Sequence, residues 1–452
     1  MRSTACRTFV AGMLWGQGGR IAVRQRLWKI DEGARTRSQR GKLVSATAVA
    51  MGVLLGAQYA YPLLAVPLSQ ELGWSRAATS AAFSVRLLVG AAGLLFLGWL
   101  VDRHGPRRLG AFCAVVAGLG LGLTGTVREL WQVHVLFGGL VAVGAALLEL
   151  CILSALTLSF DIGRGKAVGL TWAAGGAGLL VLLPLSQWLT TRIGWRPVFW
   201  LLGLAVIGLA PMIAAAFPAG SSGGRTNVAL AERSSPRRAL VLPAFWLLFI
   251  GNGFVGIFDE AVYQHLVPFA IGLGFLPVLS SLALGVASAS YVVGQTAGGV
   301  ISDRLGREAV AAGASGITVV SLAWLLLLRS PAPIALLAAV ALYGLGLGAN
   351  IATRTAAWGD VFEGPSFASV AGFISVGYPL GGAFIAWFGG WAFDTLASYR
   401  PAFLVAIGAA VLWVAALLWA APRRGSARAH VCADGSPSSI PSSIPTIPEE
   451  SS

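Results

Sequence analysis

Long apolar runs recur along this chain, separated by short breaks rich in charge, glycine or proline. A helix rises 1.5 Å per residue and needs roughly 20 apolar residues to cross the hydrocarbon of a bilayer. By that length the pattern predicts about twelve spans. Six fall in the first half, near 44–67, 78–101, 108–127, 132–158, 167–191 and 197–217. Six more follow, near 241–266, 278–301, 310–329, 333–354, 367–390 and 401–421. A membrane β-barrel would instead alternate apolar and polar residues in segments of about ten. The continuous Leu-, Ala-, Val- and Gly-rich runs exclude it, so the predicted fold class is an all-α membrane protein.

The breaks carry a repeat. After the second span stands Gly98-Trp99-Leu100-Val101-Asp102-Arg103-His104-Gly105-Pro106-Arg107-Arg108. After the eighth stands Gly299-Val300-Ile301-Ser302-Asp303-Arg304-Leu305-Gly306-Arg307-Glu308, and both read G-x-x-x-D-R-x-G. Gly73 and Gly274 sit at the same offset from these turns. Arg196-Pro197-Val198-Phe199 enters the sixth span much as Arg400-Pro401-Ala402-Phe403 enters the twelfth. The landmarks predict two six-helix pseudo-repeats in parallel orientation, an arrangement that puts a solute path between the halves near the midplane. The expected domains are a basic tail over 1–42, a bundle over 43–217, a linker over 218–240, a second bundle over 241–421 and a Ser/Pro-rich disordered tail over 422–452.

Composition supports a membrane protein and narrows its topology. Of 452 residues, 56% are hydrophobic and 11% charged, where soluble proteins sit near a quarter charged. The net charge of +14 raises nucleic acid as a partner. Its distribution argues against that reading. With the N-terminus cytoplasmic, segments on that side hold 25 Lys and Arg, while the other side holds six: Arg76, Arg128, Arg192, Arg196, Arg329 and Arg400. That bias predicts a multi-pass plasma- or inner-membrane protein with both termini cytoplasmic. The basic tail has no signal-peptide core; it reads as a cytoplasmic tail or an over-long gene start, with a transit peptide the weaker alternative. Cys6, Cys113, Cys151 and Cys432 show no metal or disulfide spacing. Neither a metal nor a cofactor is predicted.

The repeated turn resembles the signature loop of the major facilitator superfamily, and the resemblance covers about 44–421. Four segments resemble, more narrowly, its monocarboxylate-transporter-like and oxalate/formate-antiporter-like branch. They are Gln70-Glu71-Leu72-Gly73-Trp74-Ser75-Arg76, Gly194-Trp195-Arg196, His265-Leu266-Val267-Pro268, and Gly389-Gly390-Trp391-Ala392-Phe393-Asp394 near Tyr399. The resemblance implies a carrier of small organic anions working by rocking-bundle alternating access. It also implies that the turns (Gly98, Asp102, Arg103, Gly105, and Gly299, Asp303, Arg304, Gly306) act as conformational latches. Asp102 would meet the start of the eleventh span and Asp303 that of the fifth, where a carboxylate is favoured by a helix N-terminus. The chain departs from the animal monocarboxylate carriers at charged positions. Leu63 follows Tyr59-Ala60-Tyr61-Pro62 where they place a lysine, and Tyr291 and Gln295 stand where they carry Asp and Arg.

Ionisable groups inside hydrocarbon cost at least roughly 2.5–3.5 kcal/mol each, so each needs a reason. Arg86 lies about 12 Å into the second span, and Asp259 and Glu260 lie at comparable depth in the seventh. Arg86 would either pair across the halves with one of these acids or bind an anionic solute while an acid carries a proton. A structural partnership with polar neighbours or backbone carbonyls is the plain alternative for Arg86. Adjacent helical residues point about 100° apart, which predicts that one acid of the pair faces the cavity. Glu149, deep in the fourth span, reads as a proton carrier or as a structural partner for Arg103 or another basic group of the signature turn. Tyr59, Tyr61, Asn252, Tyr291, Gln295, Asn350 and Tyr378 are the uncharged cavity candidates, each with helix packing as its alternative. His134 and His265 read as interfacial, and Arg354 as a residue that snorkels toward the membrane surface.

The function this predicts is secondary transport of a small organic solute, of carboxylate type, with protons an open partner and the bilayer a necessary one. An uncoupled facilitator or a multidrug-type exporter of the same superfamily is the alternative. A polytopic enzyme lacks any motif with the required context, and a transporter-like sensor lacks an evident output domain.

Overall fold

The computed structural model describes residues 39–97, 99–160, 164–218, 241–361 and 367–420. Most of the N-terminal tail, Gly98, the linker from 219, the C-terminal tail, and the side chains of Asp102 and Asp303 lie outside the described residues. Among the described residues twelve helices are long and apolar enough to cross a membrane, and no strand is present. In the first half they are α1 (Gln39–Leu72), α2 (Arg76–Leu97), α3 (Arg103–Thr124), α4 (Leu130–Ser159), α5 (Ala167–Ile193) and α6 (Trp195–Ala216). The second half supplies α7 (Pro243–Gly272), α8 (Pro277–Ser302), α9 (Arg307–Leu327), α10 (Pro333–Arg354), α11 (Val370–Leu396) and α12 (Arg400–Ala420).

Several helices outrun the spans read from hydropathy. The α1 helix extends beyond the predicted 44–67 at both ends, and the helix containing α10 continues to Val361. Apolar length measures the hydrocarbon crossed, while the backbone ladder continues through polar residues at the interface.

The duplication is visible in backbone conformation. Gly73 and Gly274 both end a helix with positive φ (69° and 91°), and Gly105 and Gly306 do so in the two signature turns (75° and 89°). A Cβ there would be strained, which accounts for glycine at all four positions. After Gly73 the chain restarts as α2, with Ser75 Oγ accepting from Ala78 N at 3.1 Å as an N-cap. Pro67 in α1 and Pro268 in α7 occupy matching places near the helix ends.

Each half is closed by an equivalent glycine crossing. A Cβ on Gly178 in α5 would overlap the backbone of Gly52 in α1; one on Gly381 in α11 would overlap Gly253 in α7. Small residues let the helix axes approach where lipid offers no hydrophobic drive. Between the halves, α2 packs on α11 and α8 on α5. These pairs bracket the space in which the site lies.

Candidate functional site

The halves are sealed at the end of the molecule opposite the signature turns. The Asp394 carboxylate, from the end of α11, accepts from the first backbone N–H groups of α2: Arg76 N at 2.9 Å and Ala77 N at 2.7 Å. Those donors are left unpaired by the helix itself, and the positive end of the helix dipole favours an anion there. Arg76 returns the contact, donating from Nη1 to the Tyr399 hydroxyl at 2.9 Å and lying 4.4 Å over the Phe393 ring. Tyr399 stands outside the spans, and burial raises its phenol above the ordinary range despite the cation beside it. Deeper in, Ser84 Oγ donates to Ala383 O at 2.6 Å.

The segments that carry the branch resemblance meet here. Glu71 accepts from Trp195 Nε1 at 2.6 Å and from Arg196 at 3.1 and 3.2 Å, tying the end of α1 to the start of α6. His265 is buried between α7 and α11, with Nε2–H donating to Ile385 O at 3.0 Å and its ring stacked on Tyr399. It lies at the closed end of the molecule, packed inside the seal.

Below the seal a cavity of about 700 Å³ lies between the halves. Its lining runs from Tyr59 and Glu260 to Leu94, Leu95 and Trp358, near the ends of α2 and α10 that face the signature turns. The space is therefore open toward the turns and shut on the other side. Arg86, Glu149, Tyr59, Asp259, Glu260, Tyr291, Gln295 and Tyr378 all line it, together with Asn252, Gln58 and Arg354.

The carboxylates of α7 form its densest cluster. Glu260 Oε1 accepts from Tyr59 at 3.1 Å, across the halves, and Oε2 accepts from Gln264 Nε2 at 3.0 Å. The Tyr378 hydroxyl lies 2.7 Å from Asp259 Oδ2 and 3.2 Å from Glu260 Oε1. Both acids thus reach the cavity, which corrects the expectation of one. The hydroxyl of α11 enters between two side chains of different length, so the angle between adjacent residues does not separate them. Asp259 Oδ1 is enclosed without a partner among the described residues. Tyr343 fixes this stretch of α7 by donating to Phe258 O at 2.9 Å.

Arg86 makes no ion pair with either acid among the described residues. Its Nη2 donates to Gln58 Oε1, and its guanidinium lies 4.6 Å over Phe83 and 5.8 Å over Tyr59. Gln58 Nε2 then donates to Glu149 Oε1 at 3.4 Å. The amide bridges cation and acid in the first half, so the expected partnership of Glu149 with Arg103 is not formed. Arg103 instead lies exposed over Trp99.

Two candidates fall outside the cavity. Tyr61 donates to Thr79 O at 2.8 Å and stacks on Phe137 at 3.9 Å, in the packing of α1 against α2 and α4. Asn350 donates to Ser315 Oγ at 2.7 Å and accepts from Trp413 Nε1 at 2.6 Å, joining α9, α10 and α12. Both polar groups are consumed by structure. His134 bonds Leu130 O one turn back in its own helix. Arg354 also departs from expectation: its helix continues beyond it, and the side chain lines the cavity instead of reaching the surface. Gln58 was missed, although an amide beside Tyr59 in an apolar run is a readable signal. Tyr263, whose ring lies tilted 5.0 Å from that of Tyr59, offered none, since aromatics in spans usually pack, and Trp358 falls past the predicted end of its span.

The family model described as Major Facilitator Superfamily matches residues 46–307 and 266–437. The chain is 26% identical over 320 residues to the oxalate:formate antiporter of Oxalobacter formigenes, covering 69% of this chain and 75% of that protein. It is 30% identical over 277 residues to monocarboxylate transporter 11 of Mus musculus, covering 58% of this chain and 60% of that one. Among solved structures, a mutant of the nucleoside transporter NupG superposes with a TM-score of 0.70 at 12% identity, covering 84% of this chain and 99% of its own. A bacterial homologue of the human lysosomal transporter Spinster, inward-facing and unoccupied, gives 0.66 at 15% identity, covering 86% and 99%. Those structures share the fold.

Proposed function

The chain belongs to the Major Facilitator Superfamily and is a membrane transporter, and from that premise we propose that it carries a small carboxylate-type anion together with a proton. The observation that carries this reading is the cavity between the halves: enclosed on one side, open on the other, lined by two arginines and by the Asp259/Glu260 pair. The names of the relatives, an oxalate:formate antiporter and a monocarboxylate transporter, support the same solute class.

Proton coupling rests on a hydrogen-bond count. The Tyr378 hydroxyl has one proton to give and two carboxyl oxygens within reach. If both acids were ionised, one would face that oxygen without a hydrogen between them. A proton on either acid completes the chain, so the cluster is suited to gain and release one proton per cycle. The nearby Tyr59–Glu260 bond joins the two halves, which ties the proton on Glu260 to their separation.

In this reading the positive-inside bias sets the signature turns on the cytoplasmic side, and the state observed is open to the cytoplasm. Asp102 and Asp303 would be the latches that close that side in the opposite state. Asp394 on the start of α2 holds the outer side now. The exchange between these two seals is the rocking-bundle cycle.

Coupling is tested in proteoliposomes enclosing a pH-sensitive dye. Adding lactate or formate outside should acidify the lumen faster than in protein-free vesicles, which correct for passive permeation of the neutral acid. Carboxylate uptake unaffected by a protonophore, with no extra acidification, would contradict the coupling and leave the carrier intact.

A further inference from the structure

The cavity holds two guanidinium groups, and their surroundings differ. Arg86 is engaged through Nη2 by Gln58 and by the Phe83 ring, with Nε alone enclosed and unpartnered among the described residues, and Gln58 carries the contact on to Glu149. Arg354 faces Tyr291, Tyr378 and Asp259 but makes no such bonded relay among the described residues. Its Nε and Nη1 are enclosed and find no hydrogen-bond partner among the described residues. Its charge lies 5.4 Å over the ring of Trp358, one helical turn further on. Trp358 is 3% exposed, and its Nε1 is also enclosed without a partner among the described residues.

Residues four apart share a helix face, and both of these line the cavity. Guanidinium and indole N–H groups can only donate. Buried donors left unpaired are costly, and no carboxylate among the described residues makes an ion pair with Arg354. What completes the place is an acceptor carrying negative charge. The adjoining walls are apolar, formed by Leu94, Leu95, Trp172, Leu347 and Ile351. A second carboxylate on the same ligand would meet an arginine already engaged, or the acids Asp259 and Glu260.

Resting on the reading as an organic-anion carrier, we propose that Arg354 and Trp358 bind the substrate carboxylate. The substrate class is a monocarboxylate with an apolar body, which lies against the leucine wall. Arg354 offers the planar fork that a carboxylate matches, and the indole N–H supplies a further donor.

The test is calorimetric titration of the full chain in phosphatidylcholine nanodiscs with phenylacetate, corrected with empty discs. Phenylacetamide serves as the uncharged control. Wild type should bind phenylacetate and not the amide. Arg354→Gln should weaken binding by about tenfold or more, as expected for loss of a charge-assisted pair. Trp358→Phe, which keeps the ring and removes the N–H, should weaken it by about threefold, and Arg354→Lys should fall between wild type and Arg354→Gln. These two variants keep the test open if Arg354→Gln fails to fold. Phenylacetate carried by wild type but bound equally by all variants would overturn this site and leave the carrier reading standing. Failure of phenylacetate, lactate and formate both to bind and to be carried would remove that reading and the site with it. Displacement of phenylacetate by phosphatidylglycerol would assign the donors to a lipid headgroup and overturn the proposal.

Discussion

At the scale of single residues, the chemistry concentrates on one hydroxyl between two acids. Tyr378→Phe removes the hydrogen that Asp259 Oδ2 and Glu260 Oε1 share. A hydrogen bond to a charged group contributes about 1.5–3 kcal/mol, so proton-driven uptake should fall roughly ten- to hundredfold. Exchange between equal concentrations of solute, which needs no net proton movement, should fall much less. Equal losses in the two assays would show that Tyr378 shapes the cavity without serving the proton. Glu260→Gln should act more strongly than Asp259→Asn on the transition between states, because Glu260 alone of the pair accepts from Tyr59 in the other half. The ratio of the two transport rates decides this.

Residues also mark how far the sequence could be read. Arg86, Glu149, Asp259 and Glu260 were legible because charge in an apolar run demands a reason. What the run could not reveal was partnership. Gln58 comes between Arg86 and Glu149 from a different helix, and Tyr378 arrives between the acids from α11. Asn350 and Tyr61 carry the same kinds of polar group as the cavity residues. Their faces happen to meet Ser315, Trp413 and Thr79 instead. Arg354 was discounted because hydropathy ended its span there, while the helix went on.

Between elements, the seal opposite the signature turns rests on a helix end met by an acid. Asp394→Asn removes the anion from the start of α2, an exposed interaction of about 0.3–1 kcal/mol. The population open on that side should rise about two- to fivefold. A cysteine at Ser80, which borders the small space beneath the seal, reports this by faster reaction with a membrane-impermeant thiol reagent. No change in rate would mean that the helix contacts alone hold that side shut. The glycine crossings make a separate claim. Gly381→Ala drives a methyl into the Gly253 backbone, whereas Gly169→Ala meets open space. The first should cost about 1–3 kcal/mol and lower the melting temperature; the second should leave it unchanged.

The spans themselves were legible because hydrocarbon thickness fixes apolar length, and the duplication because both turns keep glycine at a positive φ. Helix ends were less so. Polar residues can prolong a helix without altering its hydropathy, as in α1 and beyond α10. The branch-like segments were visible as text, but their meeting place was not. Glu71, Trp195, Arg196, Arg76, Asp394 and Tyr399 come from distant parts of the chain and assemble at the closed end.

For the whole molecule, two pseudo-equivalent bundles enclose one unsymmetrical site. The first half contributes Arg86, Gln58 and Glu149; the second contributes the acid pair, Tyr378, Arg354 and Trp358. Motion of the bundles about their shared contacts would present that site to either side of the membrane. The most direct test of this account is solute counterflow. Purified protein is reconstituted in vesicles preloaded with unlabelled lactate, formate or phenylacetate and diluted into a trace of the labelled acid. The account predicts transient accumulation of label above equilibrium, absent from protein-free vesicles. No such overshoot with any carboxylate, together with efflux of cationic dyes from the same vesicles, would contradict it.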